Sequence, residues 1–147
     1  MRQLLFIALF ISFVFSAHAK DTSEKNKKLV IDFYNEVLFE ANYDAVDKYI
    51  GDEYIQHNPT VKNGKTAMIK MLSSLTPAVG KVEPFGEIVR AIAEDDLVVL
   101  HIKSYYWPDK NGAAIVDIFR VKNGKIVEHW DVLQAVPEKS ANNNTMF

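Results

Sequence analysis

Cysteine is absent from the 147 residues, which excludes a disulfide framework and leaves stability to a packed core alone. Basic clusters are also missing: 17 Lys and Arg against 19 Asp and Glu give 17 − 19 = −2, and no Lys/Arg run exists to meet nucleic-acid phosphates. Internal repeats, low-complexity tracts and linkers are lacking too, so the chain reads as one domain. Long hydrophobic runs are limited to one, Leu4 to Phe15 ("LLFIALFISFVF"), which is too short for a bilayer core needing about 20 apolar residues.

That run follows the positively charged start Met1-Arg2-Gln3 and precedes the small-x-small triplet Ala17-His18-Ala19. The pattern is that of a secretory signal peptide over residues 1–19. Its removal leaves 147 − 19 = 128 residues and, with Arg2 gone, a charge of 16 − 19 = −3. A chain of that size buries about two-thirds of its unfolded surface around a single core. The expected domain covers 20–137, and residues 138–147 ("EKSANNNTMF" from 138) read as a flexible polar tail. The expected location is exported, periplasmic or secreted, with no membrane association after cleavage.

The first half of the domain has helical periodicity. Leu29, Phe33, Val37 and Leu38 recur at helical spacing in "SEKNKKLVIDFYNEVLFEA", with Ser23 as N-cap. "DAVDKYI" reads as a short helix capped by Asp44 and stopped by Gly51, "EYIQHN" as a short strand, and Asn63 to Leu75 as a helix ending before Pro77. Tyr34 and Tyr49 fall on apolar helix faces and read as core. The second half has strand-length runs rich in Val, Ile and aromatics, separated by Asp95-Asp96, by Pro108 to Gly112 and by Asn123-Gly124. Helices first and hairpins afterwards indicate α+β, with a four-stranded antiparallel meander buried on one face against helices.

Asn123-Gly124 specifies a two-residue hairpin turn. Pairing Lys122 with Lys125 and counting outward sets Asp117 opposite Trp130 and Phe119 opposite Glu128, while Ile118 faces His129. On this register Ile115, Asp117, Phe119, Glu128, Trp130 and Val132 share one face, and Arg120, His129 and Asp131 lie on the other. The longer turn around Asp109 sets His101 close to Asp117. Asp117 is the first functional candidate, because a carboxylate embedded among Ile115, Val116, Ile118 and Phe119 is tolerated only with a partner or a polar cavity. A structural hydrogen bond or an arginine pair remains the alternative. A zinc site is not expected, because this register separates His129 from Asp117 and no local His pair exists.

"DIFRVKNGKIVEHWDV" (Asp117 to Val132), together with "YIQHNP" (Tyr54 to Pro59) followed by "NGK" and a helix, closely resembles SnoaL-like proteins, the polyketide-cyclase branch of the nuclear transport factor 2-like superfamily. The resemblance runs from about Lys28 to Leu133 and implies a cone-shaped fold, N-terminal helices packed on a strongly curved antiparallel sheet around an apolar pocket. It further implies Asp117 as catalytic acid/base with His101 on the adjacent strand. Tyr54, His57 and Asn58 would form the pocket rim and Phe119 and Trp130 its wall, all substrate-binding. No metal and no organic cofactor are implied.

The corresponding chemistry is proton transfer next to a carbonyl. A carboxylate takes a proton from carbon, and neutral donors hold the enolate oxygen in a dry pocket. Two function classes follow: a cofactor-independent aldol-type cyclase or isomerase acting on a small apolar carbonyl compound, or a non-catalytic carrier with the same pocket. A purely structural dimerisation domain is the third class and predicts a filled interior. The resemblance also implies a homodimer through the sheet, in which Val116, Ile118 and Leu133 on the outer face take part.

Overall fold

The structure, a computed structural model, describes residues 21–79 and 85–147, and of 75–79 the backbone only. The segment read as a signal peptide, the side chain of Leu75 and the start of the run "VEPFG" lie outside what is described.

Residues 21–33 are α-helical and continue directly into wider π-helical turns over Tyr34–Phe39, together α1. Val30, Phe33, Tyr34 and Val37 form its buried stripe, the i, i+3, i+4, i+7 pattern of a helix against a core. Ser23 sits inside the helix and its hydroxyl donates to the Asp95 carbonyl, so it does not cap the start. A 3₁₀ turn over Tyr43–Ala45 leads into α2, Val46–Tyr49. Asp44 lies within that turn, and no side chain caps either piece. The chain then passes without a break into β1, Ile50–Gln56, so Gly51 is a strand residue. Helix α3 spans Lys65–Val79 and runs through Pro77, whose missing N–H forfeits only one helix bond near the helix end.

Strands β2 (Gly86–Glu94), β3 (Leu97–Ser104), β4 (Ala113–Lys122) and β5 (Lys125–Ala135) form the expected antiparallel meander. The sheet nevertheless has five strands in the order β1-β5-β4-β3-β2, and β1 joins β5 in parallel. The sheet is therefore mixed rather than antiparallel. Hairpin reading stops at β2 to β5 because a parallel neighbour far away in sequence leaves no turn signature.

The core lies between the helices and one face of this sheet. Phe33 meets Tyr49 and Phe119 edge to face at centroid distances of 5.7 and 5.9 Å, with Val98, Leu100, Ile102 and Ile126 fully buried beneath. On the outer face Ile92 and Val132 are 63% and 68% exposed. Beyond β5 the Val136 N–H donates to the Gly112 carbonyl, extending the pairing with β4 by one residue, and the Phe147 ring rests against His101 and under the Lys103 ammonium.

Candidate active site

One residue in the β4–β5 hairpin decides the site. Lys122 pairs with Lys125 and Val121 with Ile126, as the Asn123-Gly124 turn dictates, but Arg120 then pairs with Glu128. Val127 is an extra residue on β5, a β-bulge. A one-residue offset reverses every side chain beyond it, so Ile126 and His129 both point inward. Phe119 now faces His129, Asp117 faces Asp131, and Ile118 faces Trp130. The register expected from the turn alone is overturned from Glu128 onward.

His129 accordingly stands beside Asp117 on the buried face, its Nε2 3.1 Å from Asp117 Oδ1. Tyr34, delivered by the π-helical turns of α1, donates its hydroxyl to the other carboxylate oxygen at 2.7 Å. Parallel pairing of β1 with β5 sets Gln56 next to His129. The Gln56 Oε1 lies 3.0 Å from His129 Nδ1 and also accepts the Asn58 backbone N–H at 2.9 Å. Asn58 in turn donates its side-chain N–H to Asp131 Oδ2 at 2.6 Å.

The Gln56 oxygen, which already accepts the Asn58 N–H, suits the His129 tautomer that carries its proton on Nδ1, and Nε2 then faces Asp117 Oδ1 at hydrogen-bonding distance. Asp117 and His129 are 5% and 8% exposed. Among the described residues no buried side-chain N or O atom lacks a partner. Tyr34 is held well above the usual tyrosine pKa by burial and by the neighbouring Asp117 charge, and Tyr54 is raised for the same two reasons in the same order. Both phenols are therefore neutral at physiological pH.

The network forms part of the wall of a cavity of about 190 Å³ whose lining includes Phe33, Met68, Leu72, Trp107, Ile115 and Phe119. Tyr54 OH accepts a long hydrogen bond from Gln56 Nε2 at 3.4 Å. Among the described residues no acceptor takes its own proton, which is available to a ligand. None of the cavity-lining residues is Lys or Arg.

Several expected site residues thus meet and others do not. Asp117, Tyr54, Asn58 and Phe119 line the cavity together. His101 does not: Leu100 takes the position opposite Asp117, so strand parity sends His101 to the outer face, where it lies 2.7 Å from Arg90 Nη1. His57 and Trp130 are also displaced to the outer side. They stack on each other at 4.6 Å with planes 5° apart, and Glu128 joins His57 to Arg120 through bonds of 2.8 Å each. The residues missed were Tyr34, Gln56, His129 and Asp131. A signal existed for Gln56, since Tyr54, Gln56 and Asn58 alternate along an extended segment.

A SnoaL-like domain profile matches residues 30–129. The chain belongs to the SnoaL-like family. Solved structures support the same fold for this SnoaL-like protein. A SnoaL-like polyketide cyclase from Agrobacterium tumefaciens is 13% identical with a TM-score of 0.56 over 74% of this chain and 91% of the other. An LEH-like epoxide hydrolase from M. tuberculosis is 19% identical, with a TM-score of 0.57 over 77% and 85%. A nuclear transport factor 2-like protein of unknown function from Burkholderia xenovorans is 19% identical, with a TM-score of 0.61 over 80% and 89%. At these identities the likeness carries the fold of the SnoaL-like family and not a particular reaction. No curated protein sequence matches the chain significantly.

Proposed function

We propose that this SnoaL-like protein is a cofactor-independent acid/base catalyst that moves a proton next to the carbonyl of a small, largely apolar compound. The observation that carries this reading is Asp117, a carboxylate almost completely buried at the wall of a largely apolar cavity and within hydrogen-bonding distance of His129. A volume of about 190 Å³ suits a substrate of one ring or its equivalent, since a cavity of about 150 Å³ holds benzene.

In the forward step the C–H bond next to the carbonyl breaks, its proton passes to Asp117, and the electron pair moves onto the carbonyl oxygen. Tyr54 O–H donates to that oxygen, and burial keeps the phenol protonated for the purpose. Tyr34 and His129 hold the carboxylate in orientation. Return of the proton to a different carbon completes an isomerisation. Attack of the enolate carbon on a second carbonyl, with the proton passing to the new alkoxide, completes an aldol closure.

A carrier with the same cavity is favoured by one observation: both Asp117 oxygens already have protein partners, so the carboxylate is stable without substrate chemistry. The two readings separate experimentally. Small cyclic ketones and 1,3-diketones in deuterated buffer, followed by proton NMR, should lose their α-protons in the presence of the protein and not with Asp117→Asn. Saturable binding with no exchange above buffer, or exchange undiminished in that variant, overturns the catalytic reading.

The same reading extends to location and assembly. Residues 1–19 act as a secretory signal, to be checked by the N-terminal sequence of the protein recovered outside the cytoplasm; an intact Met1 there refutes it. Leu133, expected on the outer face, pairs with Ile115 and lines the cavity instead, but the exposed outer-face residues Ile92, Val116 and Val132 support a sheet-to-sheet homodimer, which Val132→Glu should convert to monomer in light scattering.

A further inference from the structure

The bulge at Val127 removes the argument against a metal site, because it brings His129 onto the face of Asp117 and Asp131. One donor atom from each of the three residues lies within 4.8 Å of the others. Tetrahedral zinc with bonds of about 2.0–2.2 Å spaces its ligand atoms roughly 3.4 Å apart. The Asp117 Oδ1 to His129 Nε2 distance of 3.1 Å is already close to that spacing, and Asp131, within 4.8 Å, needs a shift of at most about 1.4 Å to join them.

Side chains outside the trio hold each prospective ligand by its far atom. Tyr34 takes Asp117 Oδ2, Asn58 takes Asp131 Oδ2, and Gln56 takes His129 Nδ1. Asp117 Oδ1, Asp131 Oδ1 and His129 Nε2 remain for an ion, in keeping with the outer-shell pattern that orients metal ligands. Charge favours the same outcome. Two carboxylates sit side by side on β4 and β5, and no Lys or Arg lines the cavity to balance them.

We propose that Asp117, His129 and Asp131 can bind one divalent transition-metal ion, zinc being the ion that the donor set fits best, through Nε2 and one oxygen of each carboxylate. One imidazole and two carboxylates suit zinc and its first-row neighbours, whereas magnesium and calcium prefer oxygen donors throughout. The adjoining cavity leaves a coordination position for water or for a ligand oxygen. The ion sits between Asp117 Oδ1 and His129 Nε2 and replaces their 3.1 Å hydrogen bond. Metal-bound and proton-transferring forms of the site therefore exclude each other, so this inference goes beyond the proposed reaction.

The test is isothermal titration of zinc chloride into chelator-treated protein without substrate. One zinc per chain is expected, with affinity at least about tenfold weaker in His129→Ala and in Asp131→Asn, and weakened by about the same factor in Gln56→Ala, an outer-shell change. His57→Ala and His101→Ala, on the other face, should bind as wild type. Cobalt(II) added to the unaltered protein provides a readout that needs no variant: intense visible absorption indicates a four-coordinate site, displaced by zinc. Absence of stoichiometric uptake, or uptake that persists in folded His129→Ala and Asp131→Asn proteins, overturns the proposal. Because no substrate is present, failure here is distinct from failure of the proton-exchange reaction.

Discussion

Tyr34→Phe tests the hydrogen-bonded site at its most buried point. The substitution removes one oxygen and leaves the ring, which keeps its edge-to-face contacts with Phe39 and Phe119. What it deletes is the 2.7 Å bond to Asp117 Oδ2, between groups 3% and 5% exposed. A buried hydrogen bond to an ionised partner contributes about 1.5–3 kcal/mol, largely because the orphaned acceptor remains desolvated. Water entering from the adjacent cavity would bring the cost towards the lower end. For a domain of this size that corresponds to a fall in Tm of about 5–12 °C. Thermal unfolding by circular dichroism at neutral pH measures it. A double-mutant cycle with Asp117→Asn should give a coupling of at least about 1 kcal/mol. Unfolding within about 0.5 kcal/mol of wild type, together with a coupling near zero, would show that Tyr34 and Asp117 do not support one another and would refute the network on which the site rests.

Further outcomes follow from the same geometry. Deletion of Val127 should restore the register that the turn alone specifies, turning His129 outward and Trp130 inward, and should destabilise the domain by more than about 3 kcal/mol in urea unfolding; a silent deletion would show that the bulge does not set the site. Gly112 has φ +72 and a Cβ there would lie 1.8 Å from the Ser104 carbonyl oxygen, so Gly112→Ala should cost well above about 1 kcal/mol by the same measurement. Stability should also depend on pH at both ends. Glu128 is held below the usual glutamate pKa by hydrogen bonds from His57 and Arg120; its contribution is present above the unfolded value of about 4.3 and is lost as pH falls through the lower folded value. Tyr34 and Tyr54 are raised, so their contribution is present below about pH 10 and disappears as pH rises towards the folded values. Alkaline unfolding monitored by tyrosinate absorbance should show that loss diminished in Tyr34→Phe.

Much of the scaffold was legible because the signals are local. The helical stripe through Phe33 and Val37, with Val30 rather than Leu29 as its next buried member, and the meander separated by Asp95-Asp96 and Asn123-Gly124 need only nearest neighbours along the chain. Asp117 was legible for a related reason, since a carboxylate flanked by Val116 and Ile118 is conspicuous whatever surrounds it. Its partners were not. Tyr34 reads as an ordinary core tyrosine in a helix, and its approach to Asp117 spans 83 positions of sequence. Gln56 reaches His129 only through a parallel strand pair, for which no turn provides a marker. The choice of histidine failed twice through parity, once at the longer turn that sent His101 outward and once at the bulge that sent His129 inward.

The sequence by itself determined the kind of domain: α+β, one core without disulfides, and a buried aspartate in the second half of the sheet. Periodicity and turn chemistry suffice for that because helices and hairpins are stabilised by residues close in the chain. Tertiary structure decided which side chains surround the aspartate. Side chains alternate with a period of two along a strand, so the single extra residue at Val127 exchanges the faces of everything beyond it. That exchange, and the docking of β1 against β5, assemble Tyr34, Gln56, His129 and Asp131 around Asp117.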